Sequence, residues 1–151
     1  MSQTLAAALR AAQQTGQFEA LIQGIPYASF IGMQAQMDGA APLFQLPFQD
    51  LLVGNPAIPA LHGGSIAGFM ENAGLLHVLW AHQEQRIPKS IDFSIDYLRS
   101  ARSRDSWARC QLVRQGRRVA LAQISCWQDD EQRPVAVARA HFLLQTAPER
   151  N

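Results

Sequence analysis

The chain has 151 residues, 48% of them hydrophobic and 17% charged, with 13 Lys+Arg against 12 Asp+Glu. That is the length of one ordinary domain, able to bury roughly two-thirds of its unfolded surface, and its apolar content with near-zero net charge excludes general disorder. A formal charge of +1 gives no overall basic footprint for nucleic acid, and the shortage of charge, against roughly 25% in average chains, points to surface covered by another subunit.

Met1 to Arg10 lack the basic start and apolar core of a signal peptide. Leu5, Leu9 and Ala12 mark one stripe of a short helix from about Gln3 to Gln14, ended by Thr15-Gly16. Residues 17–27 read as irregular, with Gly24 and Pro26 as breakers. Ser29 to Met37 reads as a strand, Asp38-Gly39 as a turn, and Pro42 to Phe48 as a second strand, an edge strand because of its two prolines. Residues 50–61, with Gly54, Asn55, Pro56 and Pro59, read as a loop leading into Leu61-His62-Gly63-Gly64.

A helix is expected from Ser65 to His82, with Ile66, Phe69, Met70, Ala73, Leu76 and Trp80 at helical spacing and most other positions apolar too, which marks a buried helix. Its apolar run is interrupted by Glu71, Asn72 and His77 and falls short of the roughly 20 residues that span a bilayer. Four strands follow. Ile91, Phe93, Ile95 and Tyr97 alternate with polar residues at period two. Trp107 to Gln115 and Arg118 to Gln128 form a hairpin about Gln115-Gly116-Arg117, and Val135 to Leu144 is the last strand. Its even positions, Ala136, Ala138, Ala140 and Phe142, are mostly small, a face suited to wrapping a helix.

With Gly116-Arg117 as the hairpin tip, Cys110 faces position 123 and Cys126 faces position 107. The sulfurs then lie about three residues out of register, near 10 Å at roughly 3.3 Å per residue, beyond the roughly 7 Å Cα separation that a disulfide allows. Both read as free thiols of a reducing cytoplasm, with no metal-type Cys/His spacing. The expected architecture is α+β: a short N-terminal helix, and one curved antiparallel sheet of about six strands around a single long central helix, the hotdog arrangement. No linker or repeat divides residues 1–151, and the core spans about 29–145.

Chemistry concentrates between Gly54 and Glu71. Gly63 and Gly64 stand where a helix begins, and helix N-termini expose backbone N–H groups and a positive dipole end. Glycine lets a substrate approach that backbone, and such donors stabilise an oxyanion. Glu71 follows about two turns later on an otherwise apolar helix. A carboxylate buried there is costly unless paired; as a functional group it suits a general base or a nucleophile, and as a structural one it is a satisfied or rim residue. Taken alone, His62 reads first as a cap.

Leu61-His62-Gly63-Gly64-Ser65-Ile66-Ala67 through Glu71-Asn72-Ala73-Gly74 resembles the signature of the PaaI-like branch of hotdog-fold acyl-CoA thioesterases, in the 4-hydroxybenzoyl-CoA thioesterase superfamily: a His-Gly-Gly opening the central helix and an acidic residue nine positions on. Ser90 to Ala101 resembles that family's third strand and its exit, and Gln115 to Ala120 its following hairpin. The resemblance covers about residues 29–145. It implies hydrolysis of an acyl-CoA to free acid and CoA, with Glu71 activating water or attacking the thioester carbonyl and the Gly63 N–H polarising that carbonyl. His62 and Gly64 then shape the pocket. Asn55 positions water or substrate, although it lies seven residues before His62 where the family pattern has six. Ser90 lends a hydroxyl to a partner's Glu71. Arg99, Gly116, Arg117 and Arg118 are candidates for the coenzyme A phosphates, since arginine forks suit phosphate, and Arg102 and Arg104 read as a charged loop. The resemblance also implies a homodimer or dimer of dimers. It requires no metal or redox cofactor, coenzyme A entering only with the substrate.

Two other readings remain open on sequence. One is a hotdog hydratase or dehydratase, favoured by the loop from Gly54 to Pro59 but lacking a histidine just before it. The other is a hotdog protein that binds acyl-CoA without turnover.

Overall fold

The computed structural model describes residues 3–82 and 86–145; the ends of the expected 1–151 domain lie outside the described residues. Helix α1 (Gln3–Thr15) buries Ala8, Leu9 and Ala12 along one stripe. Gly16, at φ 69°, ends it, its N–H donating to the Ala12 carbonyl at 3.1 Å.

The next stretch differs from expectation. Residues 17–27 contain helix α2 (Glu19–Gln23) and the start of α3 (Pro26–Phe30). Gly24 caps α2, and Pro26 sits in the first turn of α3, where its missing N–H would have had no partner. The two breakers therefore bound helices. The strand expected from Ser29 shortens to β1 (Gln34–Asp38), because Ser29 and Phe30 complete α3 and Gly32, at φ 73°, then turns the chain. Phe18, Leu21 and Ile31 anchor this segment in the core, Phe18 meeting Phe44 edge-on with ring centroids 6.4 Å apart.

Strands β1 and β2 (Ala41–Leu46) form the expected hairpin, with Gly39 supplying a φ of 64°. Strand β2 is not an edge: it lies between β1 and a later strand. Its prolines are tolerated because pairing on that second side begins only at Phe44, after Pro42, and because Pro47 lies beyond the strand end. Where a plain loop was expected, a 3-10 turn (Asp50–Leu52) leads into a two-stranded ribbon, β3 (Val53–Asn55) with β4 (Ala60–Leu61). The long helix α4 spans Gly63–Ala81, two residues earlier than expected at its start.

The last four strands are β5 (Lys89–Tyr97), β6 (Ser106–Gln115), β7 (Val119–Trp127) and β8 (Ala136–Leu143). They complete a six-stranded antiparallel sheet in the order β1-β2-β6-β7-β8-β5, and α4 packs against β2, β5, β6, β7 and β8. This is the expected α+β hotdog architecture. Close approach depends on small residues: Ala120 and Ala122 of β7 and Ala136, Ala138 and Ala140 of β8 are all buried. Opposite them Gly74 leaves room for Phe142, since a Cβ there would lie 3.0 Å from Phe142 Cζ.

A bulge between Leu112 and Arg114 moves the β6–β7 register by one residue from the expected hairpin. Cys110 faces Ile124 and Cys126 faces Ala108. Both thiols are free, and burial pushes each up to about 12.

Candidate active site

A helix begins with four N–H groups that have no partner within the helix. In α4 three of them are satisfied by His62. Its Nδ1 accepts from the Gly64 N–H at 2.8 Å, and its carbonyl accepts from Ser65 and Ile66 at 2.9 and 3.2 Å. The Gly63 N–H alone has no acceptor among the described residues. His62 is thus the N-cap, and the Gly64 N–H that the sequence offered to substrate is occupied. With Nδ1 accepting, the neutral ring carries its proton on Nε2. Gly54 passes so close that a Cβ would lie 2.8 Å from His62 Cα; only glycine permits β3 to run there. Beside it, Asn55 Oδ1 accepts from the Ala57 N–H at 3.0 Å, so that oxygen closes the β3–β4 turn with one of its two lone pairs and the amide N–H groups remain for other work.

The last residue of β5 completes the helix entrance. Tyr97 Oη donates to the Gly63 carbonyl at 2.7 Å, and its ring occupies the space a Gly63 side chain would need, 3.2 Å from the Cβ position. Sequence reading took Tyr97 only as an alternating strand position; its pairing with Gly63 spans 34 residues and leaves no local signal. The Leu61 N–H donates to the Ala101 carbonyl at 2.8 Å, tying the approach to α4 to the segment after β5. A cavity of about 340 Å³ opens at this junction, lined by Gly63, Ile66, Tyr97, Leu98, Arg99 and Val135 among others.

Glu71 is not at this junction. It is half-buried on a stripe of α4 shared with Gly64, Gly68 and Leu75, and no hydrogen bond or ion pair holds it among the described residues. Eight residues at 1.5 Å each put it about 12 Å along the helix from Gly63. Asn72, the neighbour of Glu71, is buried and donates from Nδ2 to the Gly68 carbonyl at 2.8 Å. Ser90 is half-buried near the start of β5, roughly 20 Å along the strand from Tyr97.

Gly116, Arg117 and Arg118 lie at the opposite end of the sheet from Gly63. Strand β6 runs roughly 30 Å from Ser106 to this hairpin, and α4 reaches it only at its C-terminus, where His82 Nδ1 and Gln115 Nε2 are 3.1 Å apart. Gly63 and Arg99 therefore share one cavity, while Glu71, Ser90 and the hairpin are each elsewhere in the same chain. Among the described residues no three His, Cys, Asp or Glu side chains form a metal cluster, and no helix is long and apolar enough to cross a membrane.

An unoccupied N–H at a helix start and an unpaired carboxylate on the same helix are the parts of an acyl-transfer site, carried here on a hotdog scaffold. A family model described as the acyl-CoA thioesterase N-terminal domain matches residues 54–143. The chain is 32% identical over 141 residues to YigI, a medium/long-chain acyl-CoA thioesterase of Escherichia coli (strain K12), an alignment covering 83% of this chain and 90% of the relative. It superposes with a TM-score of 0.74 on the crystal structure of a Chromobacterium violaceum protein, 39% identical, covering 92% of this chain and 97% of the other. A Haemophilus influenzae thioesterase, 22% identical, superposes with a TM-score of 0.78 over 92% of this chain and 97% of its own, and shares the fold. The protein belongs to the acyl-CoA thioesterase family and is a thioester hydrolase.

Proposed function

We propose that Gly63 and Glu71 carry the hydrolysis, and that each site draws them from two copies of the chain. The observation that supports this is the cap: His62 occupies every other N–H at the start of α4 and leaves the one on Gly63. That donor receives the thioester oxygen as it becomes negative. Glu71 takes a proton from water as the water oxygen bonds to the carbonyl carbon, or its carboxylate attacks that carbon and water cleaves the resulting anhydride. In either course the C–S bond breaks and the thiolate of coenzyme A leaves and is protonated. No metal or redox group enters these steps.

A separation of about 12 Å within one helix is too long for both groups to reach one carbonyl. A second copy solves this. Among the described residues β5 is the last strand of the sheet on its side, and it exposes Ile91 and Tyr97; a long open edge of this kind calls for a partner. Pairing two β5 strands antiparallel brings the Tyr97 end of one copy to the Ser90 end of the other, the arrangement in which Ser90 serves the other copy's site. The naming of the Escherichia coli relative supports medium or long acyl chains as substrates. Two buried free thiols support a reducing, cytoplasmic setting.

Replacing Glu71 with Gln or Ala is expected to lower thiol release from acyl-CoA by about a thousandfold or more while the fold and coenzyme A affinity persist. A panel of acyl-CoA chain lengths run on wild type and variant together checks it; wild-type turnover in Glu71→Gln would remove Glu71 from the reaction.

A further inference from the structure

Helix α3 has an inner and an outer face. Ala28, and Ile31 at the helix end, are buried in the core, while Tyr27 and Phe30 are 46% and 68% exposed, with ring centroids 6.3 Å apart. Two large rings left mostly in water contribute little to the core. Both precede residues 54–143, the part of the chain that the acyl-CoA thioesterase family model matches.

The Tyr27 ring is seated on α4 at Gly68. A Cβ there would stand 2.7 Å from Tyr27 Cε1 and 2.9 Å from its Oη, so any side chain at Gly68 would push the ring away. Glycine inside a helix is unfavourable relative to alanine, and the three nearest atoms in the space it leaves all belong to Tyr27. The helix thus makes room for a ring that stays half-exposed. Gly68 precedes Glu71 by three residues, and side chains three apart on one helix face are neighbours, about 5–6 Å between Cβ atoms. Tyr27 therefore flanks Glu71 on the open stripe of α4, and Phe30 extends the aromatic surface by a second ring. Past Glu71 in the other direction, the large apolar side chain on that stripe is Leu75, itself half-buried.

Resting on the reading of Glu71 above, we propose that Tyr27 and Phe30 set the acyl-chain preference of the enzyme. The alkyl chain of a thioester whose carbonyl lies at Glu71 runs from Gly68 across the two rings, its first methylenes on Tyr27 and its later ones on Phe30. The chemistry of the surface selects this half of the substrate. No Lys or Arg occurs between Arg10 and Arg86, an interval that holds α3 and all of α4, so this wall offers no charge to the phosphates of coenzyme A. It offers aromatic area to an alkyl chain, and each methylene buried against such a wall is worth up to roughly fourfold in binding.

The ratio of kcat/KM for dodecanoyl-CoA to that for butyryl-CoA, measured on the full chain, tests this. Phe30→Ala is expected to lower the ratio roughly tenfold, the worth of about two methylenes, and Phe30→Leu to restore most of it. Tyr27→Ala and Gly68→Ala, which removes the seat of the ring, are expected to bring the loss to octanoyl-CoA as well. An unchanged ratio in the double variant Tyr27→Ala with Phe30→Ala would overturn the proposal. So would an equal loss at every chain length; a change of particle size in light scattering on the same variant would then make the pair a contact between copies. A parallel assay of Glu71→Gln separates the two readings. A length-dependent loss in Phe30→Ala beside full turnover in Glu71→Gln would uphold the acyl wall and defeat Glu71 as the catalyst. An unchanged ratio beside an inactive Glu71→Gln would do the reverse.

Discussion

Tyr97 holds Gly63 from two directions, with a hydrogen bond from Oη to the carbonyl and with a ring where a side chain would be. Tyr97→Phe keeps the ring and loses the bond. One net hydrogen bond of this kind is worth about 1 kcal/mol, so kcat is expected to fall roughly three- to tenfold with KM nearly constant; steady-state kinetics on one acyl-CoA reads the split. His77 makes a separate case. It is buried, its Nδ1 has no hydrogen-bond partner among the described residues, its ring centroid lies 5.6 Å from that of Trp80, and burial lowers its pKa from 6.5 to about 4. In the unfolded chain the imidazole takes its proton near 6.5, and in the folded chain only near 4. Stability therefore rises with pH across that window and falls as acid is added, by up to about 3 kcal/mol from this group. Melting temperatures measured from pH 7 to pH 4.5 should decline, and His77→Leu should flatten the decline.

Among the elements, α4 shows which patterns sequence reveals. Its apolar spacing, the small faces of β7 and β8, and the Asp38-Gly39 turn are local and were readable. The side of α4 that stays partly open was not, because Glu71, Gly68 and Leu75 are outward only with respect to a sheet that sequence cannot orient. Short helices α2 and α3 were missed because five residues give no periodicity, and the apolar pair Phe30-Ile31 mimics a strand until Gly32 turns the chain. The inner position of β2 was missed because proline was counted without knowing which residues pair on its second side. Gly74 tests how tightly the sheet grips the helix. Any side chain there raises helix propensity, by up to about 1 kcal/mol for Ala, yet meets Phe142 and Ile124 at 3.0–3.2 Å. Gly74→Val is expected to destabilise the protein by about 2 kcal/mol, measured by urea unfolding; a stabilised variant would mean the wall yields.

For the whole molecule, part of the low charge content that opened the sequence reading lies in helix α4, whose one residue among Asp, Glu, Lys and Arg is Glu71. In the paired assembly proposed above, β5 is where two copies meet. Ile91→Lys places charge on that edge at a side chain that is 54% exposed in the single chain. It is expected to shift the protein to monomers by light scattering and to reduce hydrolysis in proportion; a fully active monomer would place Gly63 and Glu71 in one site. Sequence singled out Gly63 and Glu71 and their spacing of about two helical turns, and carried no indication of which copy supplies which to a site.

The spacing along α4 has a consequence for inheritance. If each site takes its N–H from one copy and its carboxylate from the other, a defect at one end of the helix does not belong to the copy that carries it. Two alleles, one damaged at the helix entrance and one at Glu71, would form mixed pairs in which one site collects both lesions and the other collects neither, so that two inactive genes together restore a working enzyme.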